Sequence, residues 1–141
     1  MSEKNKISRY VLDSYALLAY LQDEPGAARV KAVLEQAEKE QAEVFLAIIN
    51  FGEVVYIIER EKGLTIAQTT IATLDLLPLV VIEADRLLTF EAAHIKAKHS
   101  LSYADAFAVA LAKLKQATIL TGDREFATVE KETSIEWLPA K

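Results

Sequence analysis

Residues 101–123 read LSYADAFAVALAKLKQATILTGD, and this stretch decides the architecture. Tyr103–Lys115 has helical spacing, and residues 106–112 are apolar on every side, as in a helix buried all round. Thr118–Thr121 then reads as a short strand of β-branched and apolar residues, closed by Gly122 and Asp123. Working outward, the same alternation recurs. Ser8–Leu12, 43–47, 79–82 and 135–138 read as further strands. Helical patterns occupy 14–22, 27–40, 50–62, 65–76 and 84–98. A turn signal, Asp23-Glu24-Pro25-Gly26, separates the first two, and Gly63 closes the 50–62 helix as a C′ residue. Strands alternating with helices require a mainly parallel sheet covered on both faces. The expected fold is therefore a three-layer α/β/α domain with a five-stranded sheet, spanning residues 1–141 without repeat or linker.

Composition narrows the function. The chain of 141 residues is 52% apolar and 26% charged, a globular balance. It has no cysteine, which excludes disulfides, thiolate metal sites and Cys nucleophiles. The formal charge of −5 is the wrong sign for a domain held on nucleic acid by a basic surface. The start, MSEKNKISRY, offers no signal sequence, and runs without charge such as 63–74 are too short to span a bilayer. A cytoplasmic location is the expectation.

Four acids stand out by position. Ligands of open α/β sheets bind at the carboxyl ends of the strands. Asp13 directly follows the first strand, and Asp123 the fourth. Glu53 lies three residues after Asn50, and Asp105 three after Ser102, each in the expected first turn of a helix. Taken singly, each has a plain structural reading. Asn50-x-x-Glu53 and Ser102-x-x-Asp105 fit capping boxes, Asp13 fits an N-cap, and Asp123 fits a turn. Taken together, they converge on one side of the sheet against apolar surroundings. Two carboxylates ~4 Å apart repel by about 4 kcal/mol at an effective dielectric of about 20. Several in one pocket either keep protons or are neutralised by a cation. An all-carboxylate set suits a hard divalent ion, Mg²⁺ or Mn²⁺. Such an ion also brings a polyanion to an acidic protein.

The segments Val11-Leu12-Asp13-Ser14, Asn50-Phe51-Gly52-Glu53-Val54, Leu101-Ser102-Tyr103-Ala104-Asp105-Ala106 and Leu120-Thr121-Gly122-Asp123-Arg124-Glu125-Phe126 occur in that order. This set resembles the PIN-domain family, and within it the VapC-type toxins of toxin–antitoxin pairs. The resemblance covers nearly the whole chain and is most specific around Asp105 and Asp123. It implies a metal-dependent endoribonuclease. Its metal ligands would be Asp13, Asp105 and Asp123, with Glu53 binding directly or through water. Thr121 is the neighbouring hydroxyl expected to support them. The family carries a small hydroxyl or amide residue two positions after the first Asp. Tyr15 stands there in this chain, with Ser14 beside Asp13. The resemblance further implies an RNA substrate, a cognate antitoxin and a homodimer. The 50–62 helix is apolar beyond the needs of one face, so its second side either joins the core or receives an amphipathic helix.

Rival readings remain. A catalytically degenerate PIN-like domain would act as an RNA- or protein-binding regulatory module. A phospho-receiver would need an acidic pair after the first strand and a Lys after the last, whereas here Asp13 precedes Ser14 and Lys141 only ends the chain. His94 and His99 form no zinc motif and read as surface or helix-end residues. Arg124 is either a solvated charge or a phosphate contact. Lys96, Lys98, Lys113 and Lys115 read as solvated charges or as a weak basic rim. Trp137 and Tyr56 read as core or interface residues.

Overall fold

The computed structural model describes residues 7–140. Met1–Lys6, which open the segment read for a signal sequence, and Lys141, weighed for a receiver, lie outside the described residues. Five strands form one sheet: β1 (Ser8–Leu12), β2 (Ala42–Ala47), β3 (Val80–Ile82), β4 (Thr118–Thr121) and β5 (Ile135–Trp137). All neighbours are parallel, in the order β3-β2-β1-β4-β5. The helices are α1 (Ser14–Leu21), α2 (Ala27–Glu38), α3 (Ile48–Lys62), α4 (Leu64–Asp75), α5 (Arg86–Lys98) and α6 (Tyr103–Lys115). The expected three-layer parallel fold is the one observed.

The pleat divides the core in two. Val11, Phe45, Ala47 and Ile119 face α5 and α6, and they pack with the buried stretch of α6 from Ala106 to Ala112. Leu12, Val44, Leu46 and Leu120 face the other way, onto Leu17, Val30, Val54 and Leu74 of α1–α4. Alternate residues of one strand thus serve opposite layers, so the strands read as continuous apolar runs. The all-round apolar character of α6 has the same cause, since that helix lies between the sheet and α5. No helix among the described residues is long and apolar enough to cross a membrane.

Element boundaries differ from expectation by one or two residues, with two informative exceptions. The α3 helix starts at Ile48, with Ala47, the last residue of β2, as its N-cap. A strand running straight into a helix leaves no loop residue to cap it. Asn50 therefore does not form a capping box, and Glu53 stands in the second turn, not the first. The second exception is a 3₁₀ segment, Arg124–Val129, which follows β4 directly. It carries no 3.6-residue period and was not expected. Gly63 ends α3 at φ +93°, where a side chain would be strained.

Candidate metal centre

The chain runs β1, β2, β3 to one edge of the sheet and then returns to place β4 on the other side of β1. The order reverses between β1 and β4, which opens a crevice at the carboxyl ends of these two strands. The acids collect there. Asp13 follows β1 as the N-cap of α1 and is only 1% exposed. Its Oδ1 accepts from the Ala16 N–H at 2.8 Å, and its Oδ2 from the Thr121 hydroxyl at 2.5 Å. Thr121 ends β4 and is fully buried. The same hydroxyl oxygen accepts from the Asp123 N–H at 3.0 Å. One side chain thus ties the acid after β1 to the backbone of the acid after β4. Between them, the Tyr15 ring lies against Gly122. A Cβ at that position would fall 2.3 Å from Tyr15 Cε1, so glycine is what lets the aromatic ring sit there.

Asp105 enters from α6. Ser102 caps this helix by accepting from the Asp105 N–H at 3.1 Å, as its spacing suggested. Asp105 itself is 8% exposed. Asn50 is fully buried and reaches across from α3, its Nδ2 donating to the Ala104 carbonyl at 3.1 Å. Ser14 completes the cross-links, donating to Glu53 Oε1 from the first residue of α1. The residue read as a helix cap is thus a tie between α3 and α6, and Ser14 orients Glu53.

Side-chain oxygens of Asp105, Asp123 and Glu125 all lie within 4.8 Å of one another. Asp13 and Glu53 stand outside this tight group. They are nonetheless coupled to it by charge: Asp13 feels Asp105 and Asp123, and Asp105 feels Glu53. Sequence reasoning missed Glu125. Its signal was available as the second acid of Gly122-Asp123-Arg124-Glu125, where Asp123 Oδ1 accepts from the Glu125 N–H at 3.0 Å.

The electrostatics follow from this crowding. Burial, reinforced by the charges of Asp105 and Asp123, pushes Asp13 up to about 7 from an ordinary 3.8, against the opposing hydrogen bonds from Thr121 and Ala16. Asp105 is pushed up to about 6, first by burial and then by the Asp123 charge, with Ser102 opposing and Glu53 and Glu125 adding. An all-carboxylate donor set suits a hard divalent cation, and the oxygens of Asp105, Asp123 and Glu125 are grouped closely enough to hold one.

The other residues singled out are also positioned. Arg124 is exposed, with its guanidinium 4.7 Å over the Trp137 ring. His94 is exposed on α5. His99 is the C-cap of that helix. Tyr56 is half-exposed, with the Arg60 guanidinium 5.1 Å over its ring. Lys115 Nζ lies 5.2 Å over the Phe45 ring.

Comparison with known proteins adds a family. The model of the PIN domain family matches residues 10–132. No curated protein sequence matches the chain significantly. Among solved structures, DNA-bound VapBC from Salmonella typhimurium superposes with a TM-score of 0.74 at 15% identity, covering 92% of this chain and 98% of that one. VapBC2 from Rickettsia felis, bound to a DNA fragment from its promoter, gives 0.71 at 14% identity, covering 93% and 99%. VapC20 from Mycobacterium tuberculosis, a sarcin–ricin loop cleaving toxin, gives 0.69 at 18% identity, covering 94% and 100%. At such identities the similarity is one of fold.

Proposed function

The chain belongs to the PIN domain family, and on that premise we propose that it is a divalent-metal-dependent endoribonuclease acting as the toxin of a toxin–antitoxin pair. The observation that carries this proposal is the group of Asp105, Asp123 and Glu125 oxygens within 4.8 Å, beside a buried Asp13. The set lies at the carboxyl ends of β1 and β4, where α/β sheets bind ligands.

Asp105, Asp123 and Glu125 would hold Mg²⁺ or Mn²⁺, with Asp13 and Glu53 completing the acidic ring. When bound, the ion would lower the pKa of a coordinated water and offset charge on the scissile phosphate. The protein's own part is positional. Thr121 keeps Asp13 and Asp123 in register, Ser102 sets the turn that presents Asp105, and Ser14 orients Glu53. Arg124, held against Trp137 at the rim, offers a cation to a phosphate.

A groove supports the partner. Ile48, Phe51, Val55, Tyr56, Ile71 and Val81 line a cavity of about 710 Å³ between α3, α4 and β3. The second side of α3 is therefore open, a fit for the apolar face of an antitoxin helix. The same family analogy brings a homodimer, a single domain over residues 1–141 and action in the cytoplasm.

The test is cleavage of a fluorogenic RNA during titration with Mn²⁺. Turnover is expected to rise with the metal and to vanish on chelation. Metal-independent turnover, or none at saturating Mn²⁺, overturns the assignment.

A further inference from the structure

We propose that His99 is a positioning residue for the acidic cluster, a brace that fixes Glu125 relative to Asp105; the inference rests on the metal reading above. The ring of His99 bridges two segments that carry opposite sides of the cluster. Its Nδ1 lies 3.2 Å from Thr128 Oγ1, and its Nε2 pairs with Glu132 Oε2. Nε2 faces the Glu132 carboxylate, and Nδ1 shares a hydrogen bond with the Thr128 hydroxyl whose direction follows the ring's tautomer. The His99 side chain is 16% exposed, while Thr128 and Glu132 lie at the surface.

Each end of this bridge leads directly to a cluster acid. On one side, His99 ends α5 and begins the short link to α6, where buried Leu101 and the capping Ser102 present Asp105. The link is itself pinned, because the Leu101 N–H donates to the His99 carbonyl at 3.0 Å. On the other side, Thr128 belongs to the 3₁₀ segment, which repeats every three residues. Phe126 and Val129 accordingly share its buried face. Thr128 and Glu125 share the adjoining face by the same spacing. A hydrogen bond at Thr128 therefore sets the rotation of the segment and with it the direction of Glu125. Glu132 follows in the next turn, its N–H donating to the Val129 carbonyl at 2.9 Å, so the second contact holds the same segment from its far end.

A bare helix-end role would stabilise α5 without touching ion affinity. Calorimetric titration of the full chain with Mn²⁺ separates the two. His99→Ala is expected to weaken Mn²⁺ binding roughly three- to tenfold, less than the roughly 10–100-fold contributed by groups that touch a metal ligand directly. Thr128→Val leaves His99 in place at the helix end and, removing one of its two contacts, is expected to weaken binding about threefold, again below the range for direct partners of a ligand. Thr128→Ser, which keeps the hydroxyl, restores parental affinity. Should His99→Ala fail to fold, the Thr128 pair decides. Unchanged Mn²⁺ affinity in Thr128→Val overturns the brace while leaving the metal site standing. Absence of Mn²⁺ binding by the parent chain overturns the metal site and the brace together.

Discussion

Asp123→Asn is expected to lower metal-dependent RNA cleavage by about a hundredfold or more while leaving the fold in place. Partners that merely orient metal ligands contribute about 10–100-fold in affinity or activity, so a ligand itself sets at least the upper part of that range. The substitution is informative because it separates charge from structure. Asp123 Oδ1 accepts from the Glu125 N–H at 3.0 Å. An amide oxygen accepts the same bond, so the turn into the 3₁₀ segment survives. What disappears is one negative charge from a group of three acids. Steady-state cleavage assays with Mn²⁺, alongside thermal unfolding, make the comparison. Near-parental turnover by Asp123→Asn would remove that residue from the centre.

The second large effect is on stability. Asp13 keeps its proton to about pH 7 in the folded chain, whereas the ordinary carboxyl releases it near 3.8. Between those values the folded state binds more protons than the unfolded one, so stability falls as pH rises and levels off above about 7. Asp105 adds a loss of the same sign, complete by about pH 6. For Asp13 the shift corresponds to something on the order of 4 kcal/mol. A domain of this size converts that into roughly 10 °C of melting temperature. Asp13→Asn has no proton to lose. In chelator, its melting temperature relative to the parent should therefore climb from pH 4 to pH 7.5 by about 10 °C. The constant cost of rearranging the Thr121 bond drops out of this comparison, since it does not vary with pH. Added Mn²⁺ should recover the parent's loss at pH 7.5, because a ligand of the folded state stabilises it by mass action. Parallel pH curves for parent and variant would show that Asp13 is not the strained acid.

Legibility in the sequence follows the strength of the local physics. The apolar stretch from Ala106 to Ala112 and the run Thr118–Thr121 announced their burial, because each has one structural solution in a covered parallel sheet. Ser102 and Asp13 were readable as caps, and both cap. Asn50 was misread for a physical reason. Its capping pattern presumes a loop before the helix, and β2 passes into α3 without one. The amide is spent instead on the Ala104 carbonyl, a contact that no spacing along the chain can reveal. Glu125 escaped because the six-residue 3₁₀ segment is too short to show a period. Its role depends on where that segment folds back, not on distance along the chain. The link from Ser14 to Glu53 is likewise tertiary, joining residues 39 apart.

A divalent-metal nuclease requires that these carboxylates share a cation. Diffraction from crystals soaked in Mn²⁺, recorded for anomalous scattering, locates such an ion without reference to activity. The predicted result is a peak enclosed by the carboxylates of Asp105, Asp123 and Glu125, next to Asp13. A saturated crystal with no peak there, or with Mn²⁺ only at other surfaces, would contradict it.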